Sequence, residues 1–142
     1  LPWHKRVGGL LSTLSVKFAQ NDVHVVDSFA SFPLEGTTAH LEELCEARAW
    51  GPSVLFVDRV PIERAPLATV DGAHLFEATK GVTHINALPV YGLNVFSMLK
   101  HETLVLTVEA LREIEAKLLH QLRRVDLKNV IGQSQPYGIS RM

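Results

Sequence analysis

Short apolar segments alternate with helix-forming segments along this chain, and that alternation restricts its fold more than any other feature. The clearest apolar segment is 53–58, in which four apolar residues stand between Ser53 and Asp58. Continuous apolar character is typical of a central parallel strand that is covered on both faces. The alternation predicts a Rossmann-like α/β fold, a three-layer sandwich with a mostly parallel sheet of about four strands flanked by helices.

The other elements follow from periodicity and turn residues. Apolar residues at helical spacing predict helices at about 4–20, 38–50, 67–80, 94–100 and 108–123, with Asn94 as an N-cap. Apolar and β-branched runs predict strands at 23–27, 53–58, 83–88 and 104–107. The pair Gly8-Gly9 weakens the first helix prediction, because each glycine inside a helix costs about 1 kcal/mol.

A single domain with a tail is expected from the length of 142 residues. We place a globular α/β domain at 1–125 and an extended basic tail at 126–142, because helical periodicity fades after Asp126. No apolar run approaches the roughly 18–20 residues of a membrane span. The start at Leu1, without Met or a recognisable targeting signal, predicts a processed chain or a fragment. The single cysteine, Cys45, excludes an internal disulfide and favours a reducing compartment.

The net charge is only −1, but the charged residues are distributed unevenly along the chain. Residues 1–21 contain three basic residues and no acidic one, and residues 116–142 contain five basic residues and one acidic one. The middle of the chain is strongly acidic. A near-neutral total therefore does not exclude a nucleic-acid partner, but it restricts contact to the two basic ends.

Motifs for catalysis and cofactor binding are missing from the sequence. It contains neither of the usual glycine-rich phosphate-binding patterns, no serine-nucleophile elbow and no metal-ligand spacing of histidines. We therefore predict no catalytic residue, no metal, no cofactor and no small-molecule substrate. An alternative stays open, a small nucleotide- or phosphate-binding α/β enzyme that uses Asp27 or Asp58 at strand ends. A protein–protein adaptor is a further alternative.

The segment 88–107 reads LPVYGLNVFSMLKHETLVLT. It resembles the signature of the universal large-subunit ribosomal protein family L-four, in which L-P, G-L-N-V and L-V-L-T recur at these spacings. Residues 1–17 resemble the first helix of that family and 23–27 its first strand, so the likeness extends from about Leu1 to Leu122. The version at Ser97–His101 is most similar to the mitochondrial form.

This resemblance implies a non-catalytic structural constituent of the large ribosomal subunit in the mitochondrial matrix, supporting translation and subunit assembly. It implies ribosomal RNA and neighbouring large-subunit proteins as partners. The family's long basic loop, which precedes this region, is not within these 142 residues, so no tunnel-lining residues are assigned.

Candidate RNA-binding residues follow from the resemblance and from the basic ends. They are Lys5, Arg6, Lys17, Asn94, Lys100, His101, Arg123, Arg124 and Lys128, with Arg141 further along the tail. Lys5 and Arg6 match basic positions of the family's first helix and are the first candidates for phosphate contacts. For Asn94 a role as helix N-cap is the favoured alternative. Trp3 can stack on a base, although packing against its own helix is the favoured interpretation.

Overall fold

The described residues form a four-stranded, wholly parallel β-sheet with helices on both faces, which confirms the predicted α/β sandwich. This computed structural model describes residues 1–33, 37–59 and 73–130, the last ten as backbone only. The strands are β1 (Val23–Val26), β2 (Val54–Asp58), β3 (Ile85–Pro89) and β4 (Thr103–Thr107). The helices are α1 (Trp3–Ala19), α2 (Thr38–Ala47), α3 (Ala73–Thr79), α4 (Val95–Lys100) and α5 (Val108–Val130), with a short 3-10 helix at Val90–Gly92.

The strand order is β1-β4-β2-β3, so the two fully buried strands, β2 and β4, are neighbours at the centre of the sheet. Phe56 of β2 is opposite Ala87 of β3 on one side and Val105 of β4 on the other. Both central strands consist largely of apolar residues because both of their faces meet a helical layer.

Alternate residues of the central strands point into two separate cores. Val54 and Phe56 belong to the core beneath α2 and α3, whereas Leu55 and Val57 belong to the core beneath α1, α4 and α5. The period-two alternation of a strand thus divides one apolar run between two layers. The α1, α4 and α5 layer carries the basic N-terminal residues Lys5 and Arg6.

The predicted end of the last helix differs from the structure. Helix α5 continues to Val130, past the expected end at Arg123 and into the first residues of the proposed tail, because residues 124–130 contain neither glycine nor proline. The rest of the tail, 131–142, lies outside the described residues, as does the first part of the predicted third helix, 67–72. The division into a domain and a tail stays a prediction. Among the described helices none is both long and apolar enough to cross a membrane.

Candidate nucleic-acid interface

The first turn of α1 carries cationic side chains and no acidic one. His4, Lys5 and Arg6 are all exposed there. Pro2 is the N-cap residue and provides no side-chain cap, although its carbonyl accepts hydrogen bonds from the backbone N–H groups of Lys5 and Arg6 at 3.1 and 3.2 Å. Cations at the positive end of a helix dipole destabilise the helix by about 0.3–1 kcal/mol each, and a bound anion would reverse that effect.

Arg6 and Trp3 form a preformed pair on this turn. The Arg6 guanidinium carbon lies 5.3 Å from the centre of the Trp3 ring, within cation–π range, and Trp3 is 52% exposed. Trp3 therefore packs on its own helix through Arg6, as the favoured interpretation expected, and still presents half of its surface to solvent.

Within the described part of the chain, neither Lys5 nor Arg6 forms an ion pair with a carboxylate. The ion pairs found there involve other cations: Arg59 with Glu109 and Glu113, Lys80 with Glu77, Lys117 with Glu113, and His84 with Glu42. The charges at the start of α1 are thus available to an external anion.

Lys17 lies inside the protein, at the other end of α1. It is 6% exposed, and its Nζ donates hydrogen bonds to the carbonyl oxygens of His101 at 2.7 Å and Glu102 at 2.8 Å. Lys17 lies eleven positions after Arg6 in α1, which is about 16 Å along the helix axis. The structure therefore does not bring Lys17 together with Lys5 and Arg6.

His101 follows α4 and is 2% exposed. Its Nδ1 lies 2.8 Å from the carbonyl oxygen of Ser97, whereas its buried Nε2 has no hydrogen-bond partner within the described residues. Burial, with smaller contributions from the charges of Lys100 and Lys17, lowers the pKa of His101 below its ordinary value of 6.5. The neutral ring is a packing element of the α1–α4 contact and not a surface cation.

Asn94 is the N-cap of α4. Its Oδ1 accepts a hydrogen bond from the backbone N–H of Ser97 at 2.8 Å, and its Nδ2 donates to the carbonyl of Gly92 at 2.9 Å. Both polar atoms of the side chain are thereby occupied by the chain itself, in agreement with the cap interpretation.

The other predicted cations lie away from the start of α1. Lys100 is exposed at the end of α4, where the neighbouring residue His101 meets Lys17, so it lies toward the opposite end of α1 from Arg6. Arg123, Arg124 and Lys128 are on the last turns of α5. Arg141 lies outside the described residues.

A cleft of about 750 Å3 opens between α1, the 3-10 helix and α5, and sequence reasoning missed it. Trp3, Tyr91 and Lys117 are among its lining residues. These residues come from elements far apart in the sequence, so no local pattern could have indicated it. The helical spacing of Leu10, Leu14, Ile114 and Leu118 showed only that each helix has an apolar face.

Asp58, at the end of β2, is hydrogen-bonded within the chain. The buried Asp58 accepts hydrogen bonds at its Oδ1 from the Thr107 hydroxyl at 2.9 Å and from the backbone N–H of Arg59 at 2.7 Å. Among the described residues, neither Asp27 nor Asp58 lines the cavity of about 300 Å3 beside Trp50 or the cleft of about 750 Å3. The same residues contain no group of three metal-ligating side chains. The structure therefore gives no support to the nucleotide-enzyme alternative.

Fold and surface together define a small parallel α/β domain with an exposed basic helix terminus. The family model described as "Ribosomal protein L4/L1 family" matches residues 1–117. The chain belongs to that family, and the resemblance inferred from residues 88–107 is confirmed.

Curated relatives agree with this assignment. The chain is 45% identical over 124 residues to the mouse (Mus musculus) "Large ribosomal subunit protein uL4m", a match that covers 85% of the chain and 38% of the mouse protein. It is 42% identical over 128 residues to the zebrafish (Danio rerio) protein of the same name, covering 89% and 39%. "Large ribosomal subunit protein uL4" of Paramagnetospirillum magneticum is 34% identical over 120 residues, covering 83% and 52%. The chain thus spans less than half the length of the two animal relatives.

Proposed function

We propose that this chain is a non-catalytic structural component of the mitochondrial large ribosomal subunit and that the start of α1 binds phosphates of ribosomal RNA. The names of the relatives support the assignment to the large ribosomal subunit. The two animal relatives are named uL4m, which supports the assignment to the mitochondrial ribosome. Neighbouring ribosomal proteins are further partners in this proposal.

The observation that carries the RNA proposal is the exposed, unpaired cationic turn at Lys5 and Arg6. Folding this turn is electrostatically unfavourable in isolation, since both charges lie at the positive end of α1. Phosphate binding would convert this cost into a gain, because the free backbone N–H groups at the helix start and the two side chains all favour an anion. Such contacts supply position and affinity and do not read sequence.

The proposed contact set is narrower than the set predicted from sequence. Lys5 and Arg6 form its centre, and Lys100 is a separate peripheral contact. Arg123, Arg124 and Lys128 stay candidates on the end of α5. Lys17, His101 and Asn94 are left out, because their polar groups are buried or bonded within the chain.

The test is the double variant Lys5→Gln/Arg6→Gln, assayed for binding to deproteinised large-subunit ribosomal RNA over a range of salt concentrations. Loss of two phosphate contacts should reduce the slope of log affinity against log salt by roughly 1.5, since each contact contributes about 0.7–0.9. The free energy of unfolding of this variant should stay within about 1 kcal/mol of the parent's, because removal of two unfavourable dipole interactions offsets loss of the Arg6–Trp3 cation–π contact.

The matched control is Lys80→Gln/Arg48→Gln, which removes two exposed cations from the opposite helical layer. Its salt slope and its incorporation into large subunits on sucrose gradients should equal those of the parent. Equal slopes for both double variants, or normal incorporation of Lys5→Gln/Arg6→Gln, would contradict the proposed anchoring role.

A further inference from the structure

We propose that Trp3 and Tyr91 form a stacking site for an unpaired base of the bound RNA. This inference rests on the proposed phosphate contacts of Lys5 and Arg6 and adds to them a preference for a single-stranded nucleotide. Proteins that bind single-stranded RNA combine a positively charged surface with aromatic side chains on which bases stack.

Both aromatic side chains are open to solvent and line the same cleft. Trp3 is 52% and Tyr91 is 64% exposed. Trp3 begins α1 and Tyr91 is in the 3-10 helix, yet both are among the lining residues of the cleft of about 750 Å3. Single exposed aromatic residues are common on protein surfaces, whereas aromatic residues that share one concave site are typical of a binding site.

Arg6 holds the Trp3 ring ready for stacking. Its guanidinium carbon lies 5.3 Å from the ring centre and covers one face of the ring, so a base would stack on the other face. Because the cation–π contact already orders the Trp3 side chain, binding costs less conformational entropy than it would with a free ring. A guanidinium that stacks on an aromatic ring still has N–H groups to donate to a phosphate.

The phosphate contacts and the aromatic rings are placed for one nucleotide strand. Lys5 and Arg6 line the same cleft as the two rings, and none of its described lining residues is an aspartate or glutamate. A strand anchored by its phosphates at the start of α1 therefore has the rings beside it. The bases of a duplex are paired and stacked within the helix, so only an unpaired, splayed-out base can reach Trp3 and Tyr91.

The experiment compares two ligands with the same backbone charge. One is a short oligouridylate, whose bases cannot form Watson–Crick pairs with one another, and the other is an abasic ribose-phosphate chain of equal length. The 142-residue chain should bind the oligouridylate about tenfold more tightly, the effect of stacking one base on an aromatic side chain. Equal affinity for the two ligands overturns the proposal.

Aromatic variants test the location. Trp3→Leu and Tyr91→Leu should each lower the preference for oligouridylate over the abasic chain, whereas Trp3→Phe keeps an aromatic face and should retain most of it. Phe18→Leu is the matched control, because Phe18 is 76% exposed at the other end of α1 and does not line the cleft. Urea denaturation verifies that each variant is folded. A preference that Trp3→Leu leaves unchanged, or that Phe18→Leu lowers equally, overturns the proposed location.

Tryptophan fluorescence observes the stacking directly. The chain has two tryptophans, and Trp50 is only 6% exposed, in the core against the ring of Phe56. A stacked base quenches indole fluorescence, so saturating oligouridylate should quench Trp3 and leave Trp50 unchanged, whereas the saturating abasic chain should quench neither. Trp3→Leu should lose the response and keep the Trp50 signal. An unchanged signal at saturating oligouridylate overturns the proposal and leaves the two aromatic side chains to a polypeptide contact.

The variant Lys5→Gln separates this proposal from the phosphate contacts on which it rests. Both ligands carry the same phosphates, so Lys5→Gln should weaken both affinities by the same factor and leave their ratio at the parent value. If Lys5→Gln has this effect but the parent shows no preference for oligouridylate, stacking is overturned and phosphate binding stands. If Lys5→Gln changes neither affinity but Trp3→Leu abolishes the preference, the phosphate contact of Lys5 is overturned and stacking stands.

Discussion

Lys17 of α1 is tied to the backbone of His101 at the end of α4, across 84 positions of sequence. The Nζ–carbonyl distance is 2.7 Å, and a second hydrogen bond reaches the carbonyl of Glu102 at 2.8 Å. Carbonyl groups at and beyond the end of a helix lack intrahelical partners and favour a cation. The lysine therefore joins two helices of one layer to the start of β4.

Replacement of Lys17 by methionine should destabilise the domain. Lys17→Met keeps the aliphatic length but leaves two carbonyl groups without their donor, which should lower the free energy of unfolding by about 2 kcal/mol. Urea denaturation measures the change. Lys80→Met is the control, because Lys80 is exposed and its pair with Glu77 is a surface ion pair that contributes less than about 1 kcal/mol. Similar decreases in the free energy of unfolding of the two variants would show that the buried hydrogen bonds stabilise the domain no more than a surface ion pair does.

His101 should make the stability of the domain depend on pH. Its pKa is lowered in the folded state, first by burial and then by Lys100 and Lys17, so the unfolded chain binds more protons than the folded chain below pH 6.5. Stability is thus complete above pH 6.5 and decreases as the pH falls toward the folded-state pKa. Urea midpoints between pH 7.5 and 5 should show this decrease.

Two histidine variants assign that effect. His101→Gln should flatten the pH profile because glutamine does not titrate in this range. His120→Gln, which replaces an exposed histidine of α5, should retain the decrease. An unchanged slope in folded His101→Gln would mean that other groups cause the pH dependence.

The layered fold is predictable from the sequence because the apolar pattern of each strand and helix is visible within that element alone. The apolar run in β2 and the helical spacing of Val7, Leu11 and Leu14 indicate which residues face the core. The strand order is not predictable in this way, since pairing of β4 between β1 and β2 is decided by contacts between distant segments. Two local signals also disagree about the end of α5. Apolar periodicity weakens at Arg123, but residues 124–130 contain no glycine or proline that would end the helix.

The same distinction between local and long-range information applies to the residues of the candidate interface. Lys5 and Arg6 are exposed because they precede the apolar stripe of α1, so their position follows from the sequence. Lys17 has the same charge on the same helix, yet a carbonyl pair at the end of α4 buries it. The cleft of about 750 Å3 likewise forms only where α1, the 3-10 helix and α5 meet. Charge alone therefore does not distinguish a buried lysine from an exposed one.

Asn94 should prove to be a folding residue and not an RNA contact. Asn94→Ala removes the side-chain acceptor for the Ser97 N–H and should lower the free energy of unfolding by about 1 kcal/mol, the usual cost of an N-cap. Asn94→Asp keeps that acceptor and should lose less. Filter binding to large-subunit ribosomal RNA should give the parent affinity for Asn94→Ala. A weaker affinity in the folded variant would restore Asn94 to the RNA-binding set.

The adjacent glycines of α1 should respond in opposite ways to alanine. A Cβ at Gly8 would meet nothing within 4 Å, so Gly8→Ala should raise the free energy of unfolding by about 1 kcal/mol, the difference in helix propensity. A Cβ at Gly9 would lie 3.3 Å from Cγ2 of Val95, so Gly9→Ala presses α1 against α4 and should give a smaller gain or a loss. Urea denaturation of the two single variants measures both changes, and each is the other's control because the residues are neighbours on one helix. Equal stabilisation of about 1 kcal/mol by both would mean that the Val95 side chain moves aside without cost and would contradict the prediction.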